Sequence, residues 1–147
     1  MIKRRDMVVL FAFVGVFVAL AWVRGFGRTA PTPALFEQGL TLSDAAARSA
    51  ETGKPVLAFV TADWCGPCQA LKRGALSDPA VVAFLTERTV PVYLEESESP
   101  DAVRALAPRV YPTTYVIRGN ETVGVIEGGG SARDYAETIR RVLDDAG

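Results

Sequence analysis

Cys65 and Cys68 are the only cysteines in this 147-residue chain, and they enclose Gly66-Pro67. Residues i and i+3 of a helix share a face with an axial rise of about 4.5 Å, so two thiols at this spacing meet within the Cα distances a disulfide requires. The apolar run Val56 to Thr61 precedes the pair and helix-forming residues follow it, which places Cys65 where strand turns into helix. There the unpaired N–H groups and the positive dipole end favour thiolate over thiol. Lowering a cysteine pKa from about 8.5 to about 7 raises its thiolate fraction at neutral pH from a few per cent to about half, a change worth roughly 2 kcal/mol. Pro67 in the first turn costs little, because its missing N–H would have no intrahelical partner, and it stiffens the loop. Trp64 is expected to shield one side of the sulfurs. Two duller readings compete with redox chemistry, a structural disulfide and a metal site. Structural zinc needs four ligands, and a lone structural bridge has no need of Gly-Pro at a helix start, so a redox-active pair with no metal is the expectation.

The rest of the composition narrows the chemistry further. The chain contains no His, which removes Ser-His-Asp and Cys-His activation together with His ligation of metals and haem. Sixteen basic and seventeen acidic side chains give a net charge of −1, without the basic excess a nucleic-acid binder uses to displace counterions. Nucleic acid is therefore not an expected partner, and no cofactor is implied.

The elements that must position the cysteines read as one domain of alternating strands and helices. Thr41 or Ser43 caps a first helix through the Ala45 to Ala50 run, with Gly53 and Pro55 as its stop. Val56 to Thr61 is continuously apolar and β-branched, as a central strand covered on both faces would be. Helix is predicted over Gln69 to Leu76, interrupted at Ser77-Asp78-Pro79 and resumed over Ala80 to Leu85. A strand over Val90 to Leu94 leads to an acidic loop of Glu95, Glu96, Glu98 and Asp101, read as a solvated loop rather than a recognition surface, and a short helix around Ala102 to Ala107. Thr114 to Ile117 and Thr122 to Ile126 form a hairpin about Gly119-Asn120. Gly128 to Gly130 then lead to Ser131, cap of a last helix reaching about Asp144 with Tyr135, Ile139, Val142 and Leu143 inward. The three glycines either approach a bound substrate backbone or simply enter the helix. The order α-β-α-β-α-β-β-α implies a mixed sheet with helices on both faces.

With "WCGPC" after an apolar strand and "YPT" farther along, residues 36–146 resemble the thioredoxin family. The fold class so implied is α/β, a thioredoxin fold with a mixed central sheet flanked by helices. "KPVLAFVTADWCGPC" followed by "SDPAVVAFL" is similar to the exported thioredoxin-like group that includes the C-terminal domain of the transmembrane reductant carrier DsbD. The resemblance implies that Cys65 attacks a target disulfide and Cys68 resolves the mixed disulfide. It implies too that Pro112 is cis and lies against the nucleophilic sulfur, with Tyr111 and Thr113 beside it, and that Trp64, Gly66 and Pro67 support the site. One position departs: many thioredoxins carry a buried Asp six residues before the first cysteine, and this chain has Phe59. Proton transfer at Cys68 then falls to water or another acid, with Asp63, Glu95 and Tyr93 the candidates.

The amino terminus reads as membrane-directed. Met7 to Val23 carries no charge, follows Lys3, Arg4 and Arg5, and precedes Arg24 and Arg28. As a helix it spans roughly 25 Å against a hydrocarbon core of ~30 Å, with Trp22 as an interfacial aromatic. An anchor competes with a signal sequence cleaved after Ala19-Leu20-Ala21; a buried core helix fits poorly, because every face is apolar. Either way the basic excess before the segment directs the chain beyond Arg24 outward. The expected organisation is an anchor or signal over 1–24, a linker over 25–34 containing "GFGRTAPTP", and a thioredoxin-like domain over 35–147. From Gly25 onward twelve basic and sixteen acidic side chains leave −4.

These readings converge on a thiol–disulfide oxidoreductase of the cell envelope, single-pass in the inner membrane with its domain on the periplasmic face, or released to the periplasm after cleavage. Its expected partners are disulfide-bearing envelope proteins, apocytochrome c cysteines among them, and an integral-membrane electron donor. A non-catalytic binding or assembly module is the alternative, and a thiol-based copper carrier a distant third.

Overall fold

The computed structural model describes residues 13–17, 19–20 and 29–145. The membrane-directed stretch 7–23 and the start of the linker fall largely outside these residues, and among the described residues no helix is long and apolar enough to cross a membrane. Beyond the linker the elements run α1 (Leu42–Thr52), β1 (Val56–Thr61), α2 (Gly66–Arg73), α3 (Pro79–Arg88), β2 (Val90–Glu95), α4 (Pro100–Leu106), β3 (Thr113–Arg118), β4 (Glu121–Glu127) and α5 (Ala132–Asp145).

The four strands lie in the order β2-β1-β3-β4, with β2 parallel to β1 and the β3–β4 hairpin antiparallel. β1 is thus internal, and all six of its residues are buried. Alternation sends its side chains into two cores. Leu57 and Phe59 meet Leu71 of α2, Leu85 of α3 and Ile139 of α5 on one face. Val56, Ala58 and Val60 meet Ala45 of α1 and Val103 of α4 on the other. The expected mixed sheet with helices on both faces is therefore the observed one.

Local chemistry explains most boundaries. Thr41, not Ser43, caps α1: its Oγ1 accepts from the Asp44 N–H at 3.1 Å, and the Asp44 carboxylate accepts from the Thr41 N–H at 3.2 Å. Gly53 closes α1 in the left-handed region at φ 72°. The helix after the cysteines ends earlier than the predicted Leu76. Gly74 leaves helical geometry at φ −97° and ψ −105°, a 3-10 turn occupies Ala75–Ser77, and Asp78 restarts the chain as α3 by accepting from the Ala80 and Val81 N–H groups. Pro79 follows at the first helical position, and α3 continues to Arg88 rather than Leu85.

In β4, Gly124 lies directly beneath α5. A Cβ built there would stand 2.1 Å from Val142 Cγ1, so the helix approaches the sheet closely only because this position lacks a side chain. The same stretch carries a register shift between Val116 and Ile117, which pair with Gly124 and Thr122 and leave Val123 over. Gly124→Ala is expected to destabilise the fold by about 1–3 kcal/mol through overpacking against a stiff β-branched side chain. Adding Val142→Ala should recover part of that loss, and urea unfolding of the single and double variants measures it.

Candidate active site

β1 delivers the chain to the site. After Thr61 the backbone turns through Ala62, whose carbonyl accepts from the Cys65 N–H at 3.1 Å, and Cys65 becomes the N-cap of α2. Its Sγ occupies the place of a capping oxygen and accepts from the Cys68 N–H at 3.2 Å. The nucleophile expected from sequence thus lies just before the helix, with its sulfur directed at the first-turn amides. The two sulfurs form a disulfide with a Cα–Cα distance of 5.3 Å. Cys65 is 3% exposed and Cys68 fully buried, so the first cysteine is the outer of the two.

Loops from two further elements close over the pair. The Tyr111–Pro112 peptide is cis. Tyr111 packs against the cluster formed by Ala62 and the two cysteines. Thr113, fully buried, donates its hydroxyl to the Val110 carbonyl at 2.7 Å, and Pro112 accepts through its own carbonyl from the Gly128 N–H at 2.7 Å. A Cβ added at Gly129 would meet the Pro67 carbonyl at 3.6 Å. The glycine triplet thus passes beside the cysteine loop on its way into α5. Trp64, expected to shield one side of the sulfurs, is 72% exposed, and its ring meets Tyr111 edge to face at 5.5 Å.

Glu96 ties these aromatics together. Its carboxylate accepts from Trp64 Nε1 at 3.0 Å and from the Tyr111 hydroxyl at 3.1 Å. Burial and this acceptor both raise the Tyr111 pKa. Neighbouring Glu95 is buried, so the acidic loop is only partly the solvated run expected. Burial alone would push the Glu95 carboxyl up, but hydrogen bonds from the Ser97 hydroxyl and from the backbone N–H groups of Ser97, Asp63 and Glu98 hold it below 4.5. Glu95 therefore joins the cysteine-bearing loop to the turn after β2 as a fixed anion. That role, absent from the sequence reading, argues against it as a proton donor. Asp63, the second candidate acid, is largely exposed and lies 3.7 Å from the ammonium of Lys72.

Phe59, six residues before Cys65, is fully buried in the core on the α2 face of β1. It stacks on Phe36 at 5.9 Å and meets Tyr93 at 6.0 Å, in an aromatic layer of the core. Burial first, with help from the charges of Asp63 and Glu95, pushes the Tyr93 phenol up to about 12. The third candidate acid thus holds its proton throughout the neutral range. Sequence reasoning missed Glu96 and Lys72. Lys72 carried a positional signal, since it extends the stripe of Cys68, Leu71, Ala75 and Leu76 that faces the core. Among the described residues no cluster of three or more His, Cys, Asp or Glu is placed to hold a metal ion.

This fold and a helix-start dithiol define the class, and comparison with known proteins agrees. The thioredoxin-like family profile matches residues 36–118. A thioredoxin-like protein of Synechocystis sp. is 30% identical over 94 residues, covering 62% of this chain and 81% of that protein. The chain belongs to the thioredoxin-like family. Among solved structures, a thioredoxin from Thermus thermophilus superposes with a TM-score of 0.61 at 23% identity, over 69% of this chain and 82% of that one. A protein described as DsbH oxidoreductase superposes at 0.63 with 16% identity, over 82% and 93%. Both share the fold, and the Cys65–Cys68 pair equips this chain for thiol–disulfide exchange.

The carboxylate of Glu95 sets a pH dependence. Its folded pKa lies below its unfolded value, so its contribution is present above pH 4.5 and is lost as pH falls through the folded value. Glu95→Gln is expected to lower stability at neutral pH and to flatten the acid side of the stability profile, measured by thermal melts across pH.

Proposed function

We propose that this protein is a membrane-tethered thiol–disulfide oxidoreductase of the cell envelope that reduces protein disulfides through Cys65 and Cys68. The observation that carries the reading is the seat of Cys65, capping α2 and accepting from the Cys68 amide. In the reduced protein the Cys65 thiolate attacks one sulfur of a target disulfide, forming a mixed disulfide and releasing the other target sulfur as thiolate. Cys68 then loses its proton and attacks Cys65 Sγ. The Cys65–Cys68 bond forms, the bond to the target breaks, and the released sulfurs take up two protons. Two electrons have passed from the dithiol to the target, and a thiol reductant, here an integral-membrane carrier, must return them.

Exposed Trp64, adjacent to Cys65 in the chain, and exposed Val110, adjacent to Tyr111, suit an extended protein substrate rather than a small molecule. Reduction is favoured by Gly-Pro between the cysteines and by the resemblance to exported reductant-carrier domains. The tether is supported by the uncharged run Met7 to Val23 with its basic flanks, and by the exposure of helical Phe13 and Phe17, at 71% and 74%.

Cys65→Ser is expected to abolish reduction of a protein disulfide by the dithiothreitol-reduced protein, and Cys68→Ser to accumulate mixed disulfides on non-reducing gels. Turnover retained in the first variant would overturn the mechanism. Partner binding that persists without any exchange activity would identify a binding module instead. For the tether, the full-length chain expressed in a bacterium should sediment with membranes, and an externally added protease should reach its domain in spheroplasts. Recovery in the cytosolic fraction would remove the envelope assignment.

A further inference from the structure

Lys72 has a burial that its chemistry does not explain. Its side chain is 1% exposed, and its ammonium donates to the Tyr93 hydroxyl at 3.1 Å and stands 3.7 Å from Asp63 Oδ1. An ammonium withdrawn from water is costly unless closely paired, and here one partner is a neutral phenol and the other a carboxylate 60% exposed on its side chain. A methionine of similar length would fill the same space beside Phe59 and Tyr93 without that cost, so packing alone does not account for lysine at this position.

Its location does. Lys72 follows Cys68 by four residues on α2, on the same face one turn later. Helical side chains lean toward the N-terminus. The contact with Asp63, two residues before Cys65, shows that the ammonium reaches back to the level of the helix start. It lies on the side of the sheet that Phe59 and Tyr93 face. By strand alternation Thr61 faces that side too, and its Oγ1 is buried with no hydrogen-bond partner among the described residues. The interior on this side of β1 is thus partly polar and carries a positive charge.

We propose that Lys72 is a positioning residue for the exchange reaction, its ammonium held on Tyr93 and Asp63 so that it stabilises the Cys68 thiolate when that sulfur must attack the mixed disulfide. This inference rests on the dithiol reading above and extends it. In the resolving step the Cys68 proton leaves to the departing target thiolate or to water. The Cys68 electron pair then forms the bond to Cys65 while the bond from Cys65 to the target breaks. Lys72 gives up no proton; it supplies charge where a carboxylate would have accepted the proton. Other ionisable groups bear on this layer: Asp63, Tyr93, Glu95 and Glu98 around the phenol, Glu37 and Arg73 along the outer side of Lys72, and Tyr111 against the cysteines. Of these, the carboxylates oppose thiolate formation, whereas Lys72 is a buried cation that favours it.

The test is made on the full-length chain. In a Cys65→Ser background Cys68 is the only thiol, and its rate of reaction with a small methanethiosulfonate reagent as a function of pH reports its ionisation. Lys72→Met and Lys72→Gln are each compared with the parent; glutamine keeps a donor for Tyr93 and guards against misfolding. The expected result in both is an upward shift of the Cys68 midpoint by about one pH unit, as for loss of an opposite charge nearby. With both cysteines present, resolution of a preformed mixed disulfide at neutral pH should slow about threefold, the tenfold loss of thiolate being partly offset by the greater nucleophilicity of a more basic sulfur. An unchanged Cys68 midpoint in the folded variants, whatever their melting temperatures, overturns the proposal and shows Lys72 to be structural. That outcome is distinct from failure of the dithiol reading, which would appear as absence of disulfide reduction by the parent protein.

Discussion

Burial of β1 on both faces is the constraint from which the rest of this structure follows. Six consecutive buried residues satisfy their backbone groups only as an internal strand, so β2 must pair along one edge and β3 along the other. Two apolar faces in turn require helices on both sides. The chain leaves such a strand at the edge of the core, and α2 begins there. The dithiol is therefore carried at the junction between the most rigid strand and a helix whose first amides point back at Cys65. Reactivity at this position is a product of the fold's main packing decision, since the same turn that ends β1 presents the capping sulfur.

Around that junction, three segments distant in sequence are held by hydrogen bonds as well as by the packing of Tyr111. The Pro112 carbonyl holds Gly128, Glu95 holds the backbone of Asp63, and Glu96 holds Trp64 and Tyr111. Polar ties suit a surface that receives a substrate, because they fix loop geometry without filling the space above the sulfurs. The arrangement leaves Trp64 projecting and Cys65 just beneath the surface, so a target disulfide meets a wide aromatic rim before it meets the nucleophile.

On the α2 side of the sheet the interior combines an aromatic layer with a buried cation. Phe36, Phe59 and Tyr93 exclude water from the core beside α2, and low polarity strengthens any charge interaction that remains there. The same burial holds the Tyr93 phenol neutral up to about pH 12, so it serves Lys72 as an acceptor and does not titrate in the working range. Aromatic packing and lysine placement thus act together: one sets the dielectric and the other sets the sign of the field.

Much of this was legible in the residues. The β1 span, the Gly53 and Pro55 stop, the Asp78-Pro79 restart, the hairpin about Gly119 and the inward face of α5 are local signals, written in propensity, capping and periodicity within a few residues of where they act. The dithiol and its place at a helix start were equally local. Gly74 was overlooked because a single glycine inside a helical pattern ends a helix only when neighbouring packing favours the break. Glu95, Glu96 and Lys72 were misjudged or missed for a different reason. A charged residue reads as solvated until the fold brings it a partner, and their partners, Asp63, Trp64, Tyr111 and Tyr93, come from other elements. Sequence alone determined the elements and the reacting sulfurs, because backbone preference and thiol spacing act over short distances. Only the tertiary structure decided which charges surround those sulfurs, because electrostatic partnership depends on distance through space and on burial that no local pattern encodes.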